Sequence, residues 1–186
     1  MKLCGPLGYP DDWDSTCLWD GKLSAHFGYP SSGWVLLSLL TTAYNGSLTI
    51  HLSDFYDPFW NLVDWLKAIA DDDLPASFKI DEEGCYKDLI VRRYHGRFPT
   101  NADVEFRVNG DYWDEESNER KEGCFFLTRA RRAQLLHEFI RRLDQWLRED
   151  YDADGWNRSW REEEPDNPFT DLKNLDIEGL RAKLRG

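Results

Sequence analysis

Asp150, Asp152 and Asp154 recur at every second position and are followed at once by Gly155. In the first half of an EF-hand loop this spacing sets oxygen ligands ahead of a sharp turn, so calcium is the chemistry it would serve. The second half of such a loop does not follow, because the twelfth position is Arg161 and Glu162 stands one residue too late. An acidic linker in which Gly155 ends a helix is the plainer reading. A second set, Asp103, Glu105 and Arg107, alternates with Val104, Phe106 and Val108. Period two puts the three charged groups on one strand face, as in the acidic pair and cation of a metal-dependent nuclease. The same alternation marks any half-buried strand, and the charge balance of the chain argues against a nuclease.

Asp81-Glu82-Glu83-Gly84 gathers carboxylates at a strand end, where like charges held close raise one pKa for acid-base work. A turn between two strands explains it equally well. His26, His51, His95 and His137 are isolated, with no nucleophile motif beside them, which favours structural or solvated roles. Cys4, Cys17, Cys85 and Cys124 form no Cys-x-x-Cys pair and read as free thiols. No catalytic residue, cofactor or dedicated metal set is expected.

The remaining chemistry is recognition. Asp11, Asp12, Trp13, Asp14, Trp19 and Asp20 interleave acids with aromatics in an irregular arm, and Tyr112, Trp113, Asp114, Glu115 and Glu116 repeat the pattern. Aromatics in exposed loops supply large contact area at small entropic cost, and neighbouring carboxylates steer a basic partner. The formal net charge of -12 points the same way. It disfavours nucleic acid and anionic membrane surfaces and favours a cationic protein.

The elements that must hold these residues are readable from periodicity. One domain is expected for 186 residues, with an irregular arm over 1–33, a core over 34–150 and an acidic tail over 151–186. The arm can hold a short strand at Leu23 to Phe27. Trp34 to Leu40 has apolar residues on both alternating faces and reads as a strand buried on both sides. Asn45-Gly46 turns into Leu48, Ile50 and Leu52, and Asp57-Pro58 opens a helix to about Ala70. Strands follow at Ser77 to Ile80, at Tyr86 to Arg93, and from Asp103 until Asn109-Gly110 closes it. Asp111 to Gly123 reads as a polar loop, and Cys124 to Leu127 as a last strand before a long helix. That helix buries Leu135, Leu136, Phe139, Ile140, Leu143, Trp146 and Leu147 opposite Arg131, Arg132, Arg141, Arg142 and Arg148, an outer face expected to be basic but partly neutralised by the i,i+4 pairs Glu138–Arg142 and Asp144–Arg148. Glu162-Glu163-Glu164-Pro165 is a linker, and Thr170 to Leu184 a short helix weakened by Gly179. Short turns between strands imply an α+β fold, a mainly antiparallel sheet with two helices on one face and a partly ordered tail. Without an apolar leader or spanning segment, a cytosolic location is expected.

The order of these elements over Ala43 to Asp150, the stretch from Asp57-Pro58-Phe59 through Trp65-Leu66, and Asp81-Glu82-Glu83-Gly84 resemble the small acidic immunity proteins of bacterial polymorphic and contact-dependent toxin systems. The resemblance implies a noncatalytic cytosolic antidote that blocks a partner toxin or effector by direct binding. The residues alone leave alternatives. A phage-type inhibitor of a host defence complex would look similar, as acidic surfaces imitate nucleic acid. An aromatic-platform module for a small molecule or carbohydrate, with calcium near Asp152, is another, and an enzyme site assembled from distant residues is a third.

Overall fold

A computed structural model describes residues 22–42, 46–54, 58–95, 103–156 and 171–185. Seven strands form two antiparallel sheets. The first has the order β1-β2-β3, from Leu23–Phe27, Trp34–Thr41 and Ser47–Ser53, and the second has the order β4-β5-β6-β7, from Ala76–Asp81, Tyr86–Arg93, Asp103–Asp114 and Glu119–Arg131. Helices α1 (Pro58–Ala70) and α2 (Arg132–Glu149), the short turn α3 (Ala153–Trp156) and α4 (Ile177–Arg185) complete an α+β fold. No helix among the described residues is long and apolar enough to cross a membrane.

Both sheets turn their apolar rows into one core. Phe27, Leu37, Leu39, Ile50 and Leu52 from the first sheet join Phe78, Val91, Phe106 and Phe126 from the second. The helices close that core with Phe59, Leu62, Leu66, Leu135, Phe139 and Leu143, which recur at helical spacing as the sequence requires. The Phe59 ring stacks on Trp146 at 4.9 Å and 6°, and Trp156 meets Phe59 edge-on at 5.1 Å. Each such ring withdrawn from water contributes about 1.5–3 kcal/mol, which is why a chain this rich in charge still folds.

The two edges of the first sheet each meet side-chain partners. On β1, Glu138 of α2 accepts from the Ala25 N–H and the Ser24 hydroxyl, and the Trp146 indole donates to the Gly28 carbonyl at 2.8 Å. On β3, the His51 N–H donates to Glu82 in the β4–β5 turn at 2.7 Å. Edges capped in this way do not recruit another strand. The sheets also meet through a buried pair of hydroxyls, Thr41 Oγ1 and Thr128 Oγ1, at 3.0 Å.

Several expectations change. β2 is not buried on both sides, because Leu36 and Leu40 are 43% and 50% exposed while Val35, Leu37 and Leu39 are sealed. Asn109-Gly110 does not end β6. The ladder instead shifts register at Val108/Asn109 and continues to Asp114 opposite Glu119. What reads as a polar loop from Asp111 to Gly123 is therefore a long hairpin. On the outer face of α2 the expected pairs Glu138–Arg142 and Asp144–Arg148 form, and further partners neutralise more of its arginines than the helix alone would. Glu138 pairs with Arg141 and Arg142, Asp144 with Arg148 and Arg181, and Asp72 of the α1–β4 turn with Arg132. Gly179 does not break α4, since Asp176 caps the helix by accepting the Gly179 N–H at 2.9 Å, and a β-carbon there would lie 2.3 Å from that carboxylate. Asn45, Asp57 and Glu162 to Thr170 lie outside the described residues.

Candidate functional site

β5 stops pairing with β6 at Lys87 opposite Gly110. Beyond that point β6 and β7 run on alone, from Asp111 opposite Glu122 to Asp114 opposite Glu119, as a two-stranded ribbon. A free ribbon needs anchoring at its base, because two strands alone are marginal in water. Asp111 supplies the anchor. It is buried, accepts the Tyr86 N–H at 2.6 Å, and forms an ion pair with Arg120 of the opposite strand. Arg120 in turn donates to the Gly84 carbonyl and lies 5.6 Å from the Tyr86 ring centre. Gly110 lets this base close, since a β-carbon there would sit 2.4 Å from the Tyr86 carbonyl oxygen.

The tip is organised by Asp114. Its carboxylate accepts the Glu116 N–H at 2.9 Å and the Ser117 N–H at 3.4 Å, and it forms an ion pair with Lys121. The Lys121 hydrogen bond, helped by those backbone donors, brings the Asp114 pKa down to about 2. Asn118 completes the reversal at φ 54°, a region asparagine tolerates better than most residues.

Strand alternation sorts the ribbon into two sides. Tyr112 turns inward, half-buried, edge-on to Phe125 at 6.3 Å, and so braces the ribbon instead of forming part of its exposed surface. Trp113 turns outward and is 57% exposed. Arg120 stands directly opposite it, and Glu115, Glu116, Glu119 and Glu122 of the same ribbon are exposed. Tyr86, 41% exposed, stands at the ribbon's base between Arg120 and Lys79, whose Nζ is 4.9 Å from the ring centre. Sequence reasoning missed Tyr86 and Arg120. Only the hairpin register, which puts Arg120 opposite Trp113, brings them to this patch.

The other sequence candidates are placed as follows. Asp11, Asp12, Trp13, Asp14, Trp19 and Asp20 lie outside the described residues, as do Cys4 and Cys17. Among the described residues Asp150, Asp152 and Asp154 are not gathered as one ligand set. Asp150 ends α2, Asp152 accepts from the Asp154 N–H and the Tyr29 hydroxyl, and Gly155 sits inside the α3 turn, its carbonyl accepting the Gly33 N–H. Among the described residues no group of three or more His, Cys, Asp or Glu is gathered as a metal site would require.

Asp103 and Glu105 are buried on the outer face of the second sheet, at 5% and 2% exposure. Arg129 pairs with Asp103 at 2.5 Å, and Glu105 takes Arg92 at 2.8 Å with Arg107 at 3.6 Å. Both carboxylates are engaged by arginines, Asp103 and Glu105 across strands and Glu105 also within β6, so the nuclease-like arrangement resolves into ion pairs. The Asp81–Gly84 carboxylates are likewise engaged: Asp81 accepts the Gly84 N–H, Glu82 pairs with Lys87 at 3.0 Å, and Glu83 accepts the Ser53 hydroxyl. His51 meets Glu82 through its backbone, and its ring faces Trp34 edge-on at 6.0 Å. The open clefts among the described residues include one of about 700 Å³ between β1 and α2 and one of about 500 Å³ between α1 and β4. Neither brings His51 or His95 to the Asp81–Gly84 carboxylates.

No family model matches the chain, and neither a curated protein nor a solved structure matches it either.

Proposed function

We propose that the protein is a noncatalytic inhibitor of the immunity type, which neutralises a basic toxin or effector in the bacterial cytosol by direct binding. The observation that carries the reading is Trp113, more than half exposed on a ribbon that projects past its sheet and carries four exposed glutamates. A large exposed ring on a braced support costs little entropy to bury, and it is the residue type that dominates binding energy at interfaces. These carboxylates speed encounter with a cationic surface and raise the penalty for an anionic one.

The test is affinity capture from the native host with the full chain as bait, together with co-expression beside the toxin-like gene of its own neighbourhood. A stoichiometric basic partner and rescue of growth are expected. The absence of both capture and rescue would sink the proposal.

A further inference from the structure

None of the residues of β1, β2 and β3 is Asp, Glu, Lys or Arg, although 31% of the chain is charged and every strand of the second sheet holds such residues. The inner face of this first sheet is core. Its outer face presents His26, Leu36, Ser38, Leu40, Thr49 and His51, with both leucines exposed on the central strand. Glu138 closes the β1 edge and Glu82 the β3 edge, so the open surface is the face and not a strand edge.

We infer that this charge-free face is the interface of a homodimer. The argument is electrostatic. Two chains of net charge -12 repel wherever their carboxylates approach, and only a neutral surface lets them meet without juxtaposing like charges or stripping water from them. A basic partner, by contrast, is recognised by carboxylates, and this face has none to offer. A two-fold axis over β2 lays the Leu36 and Leu40 row of one copy across the same row of the other, a self-complementary contact. The two sheets then pack at about 10 Å, as in a β-sandwich. Three strands of this length cover roughly 14 by 24 Å. That is about 340 Å² per copy, less than half of a standard interface, so the association is weak and transient. Because the contact is neutral and the remaining surface acidic, salt strengthens the dimer by screening the long-range repulsion.

Sedimentation equilibrium of the full chain at neutral pH, over the micromolar range and at low and high salt, tests this. A dimer fraction that rises with concentration and with salt is expected, and Leu36→Glu and Leu40→Lys should each weaken it at least tenfold while leaving thermal unfolding unchanged. Should Leu36→Glu fail to give a native circular dichroism spectrum, Leu40→Lys decides alone. A chain that stays monomeric at high concentration and high salt, a dimer that salt weakens, or one indifferent to both substitutions overturns the inference.

Discussion

Asp111 and Arg120 form an ion pair across the base of the β6–β7 ribbon, and each also holds the β4–β5 hairpin, Asp111 through the Tyr86 N–H and Arg120 through the Gly84 carbonyl. This pairing converts a two-stranded extension into a rigid support. Asp111→Ala leaves the Tyr86 N–H without that acceptor and should cost about 1–3 kcal/mol of stability, read as a lower urea midpoint. Amide exchange over residues 112–121 should accelerate more than in the core. Unchanged exchange in the ribbon would show that Asp111 is not its anchor.

Trp113 separates binding from folding. Its ring is mostly in solvent, so Trp113→Ala should move stability by less than about 0.5 kcal/mol, yet weaken partner binding by about 2 kcal/mol or more, roughly 30-fold. Calorimetry against the captured partner, paired with thermal unfolding, measures both. Equal affinity for the variant and the parent removes the ribbon from the interface.

Gly110 tests the geometry of the base. A methyl group there is directed at the Tyr86 carbonyl oxygen and the Lys87 side chain, and backbone cannot yield as a flexible side chain does. Gly110→Ala should destabilise by about 1–3 kcal/mol through overpacking. A variant as stable as the parent in urea would mean that β5 and β6 are more widely spaced here than described.

Asp114 gives the ribbon a pH dependence with a definite sign. Its folded pKa of about 2 lies below the ordinary 3.8. The Asp114 carboxylate therefore favours the ordered tip fully above about pH 3.8, and that contribution fades as pH falls towards 2. A carboxyl titration followed by NMR should find the low value in the parent and a rise towards 3.8 in Lys121→Gln, because Lys121 is the largest cause of the shift. A pKa unmoved by that substitution would assign the shift to the backbone donors instead.

Where the pattern was local, the sequence was a sufficient guide. Pro58 to Ala70, Tyr86 to Arg93 and the apolar stripe from Leu135 to Trp146 lie where periodicity and capping place them. The misreadings share one cause, partners distant along the chain. Nothing near Glu105 announces that Arg92 will neutralise it, so its burial looked like half-exposed alternation. Asn109-Gly110 carries the composition of a turn, but the glycine is there because β5 passes close by, and the chain runs straight on. The apolar run Trp34 to Leu40 suggests two buried faces, whereas among the described residues the helices pack on the side of β2 away from Leu36 and Leu40. Of the candidate site, Trp113 and its acidic neighbours were legible from composition. Tyr86 and Arg120 were not, since strand register alone assembles them.

The turn that receives Arg120 at Gly84 is the same one whose Glu82 holds the His51 N–H of the other sheet. A load applied at the ribbon tip is thus transmitted through Arg120 into the seam between the sheets before it reaches the core. The His51 amide lies at the far end of that path, away from the ribbon itself, and serves as a remote strain gauge. When a partner grips Trp113 and stills the ribbon, that one proton should exchange more slowly, reporting occupancy from a strand the partner never touches.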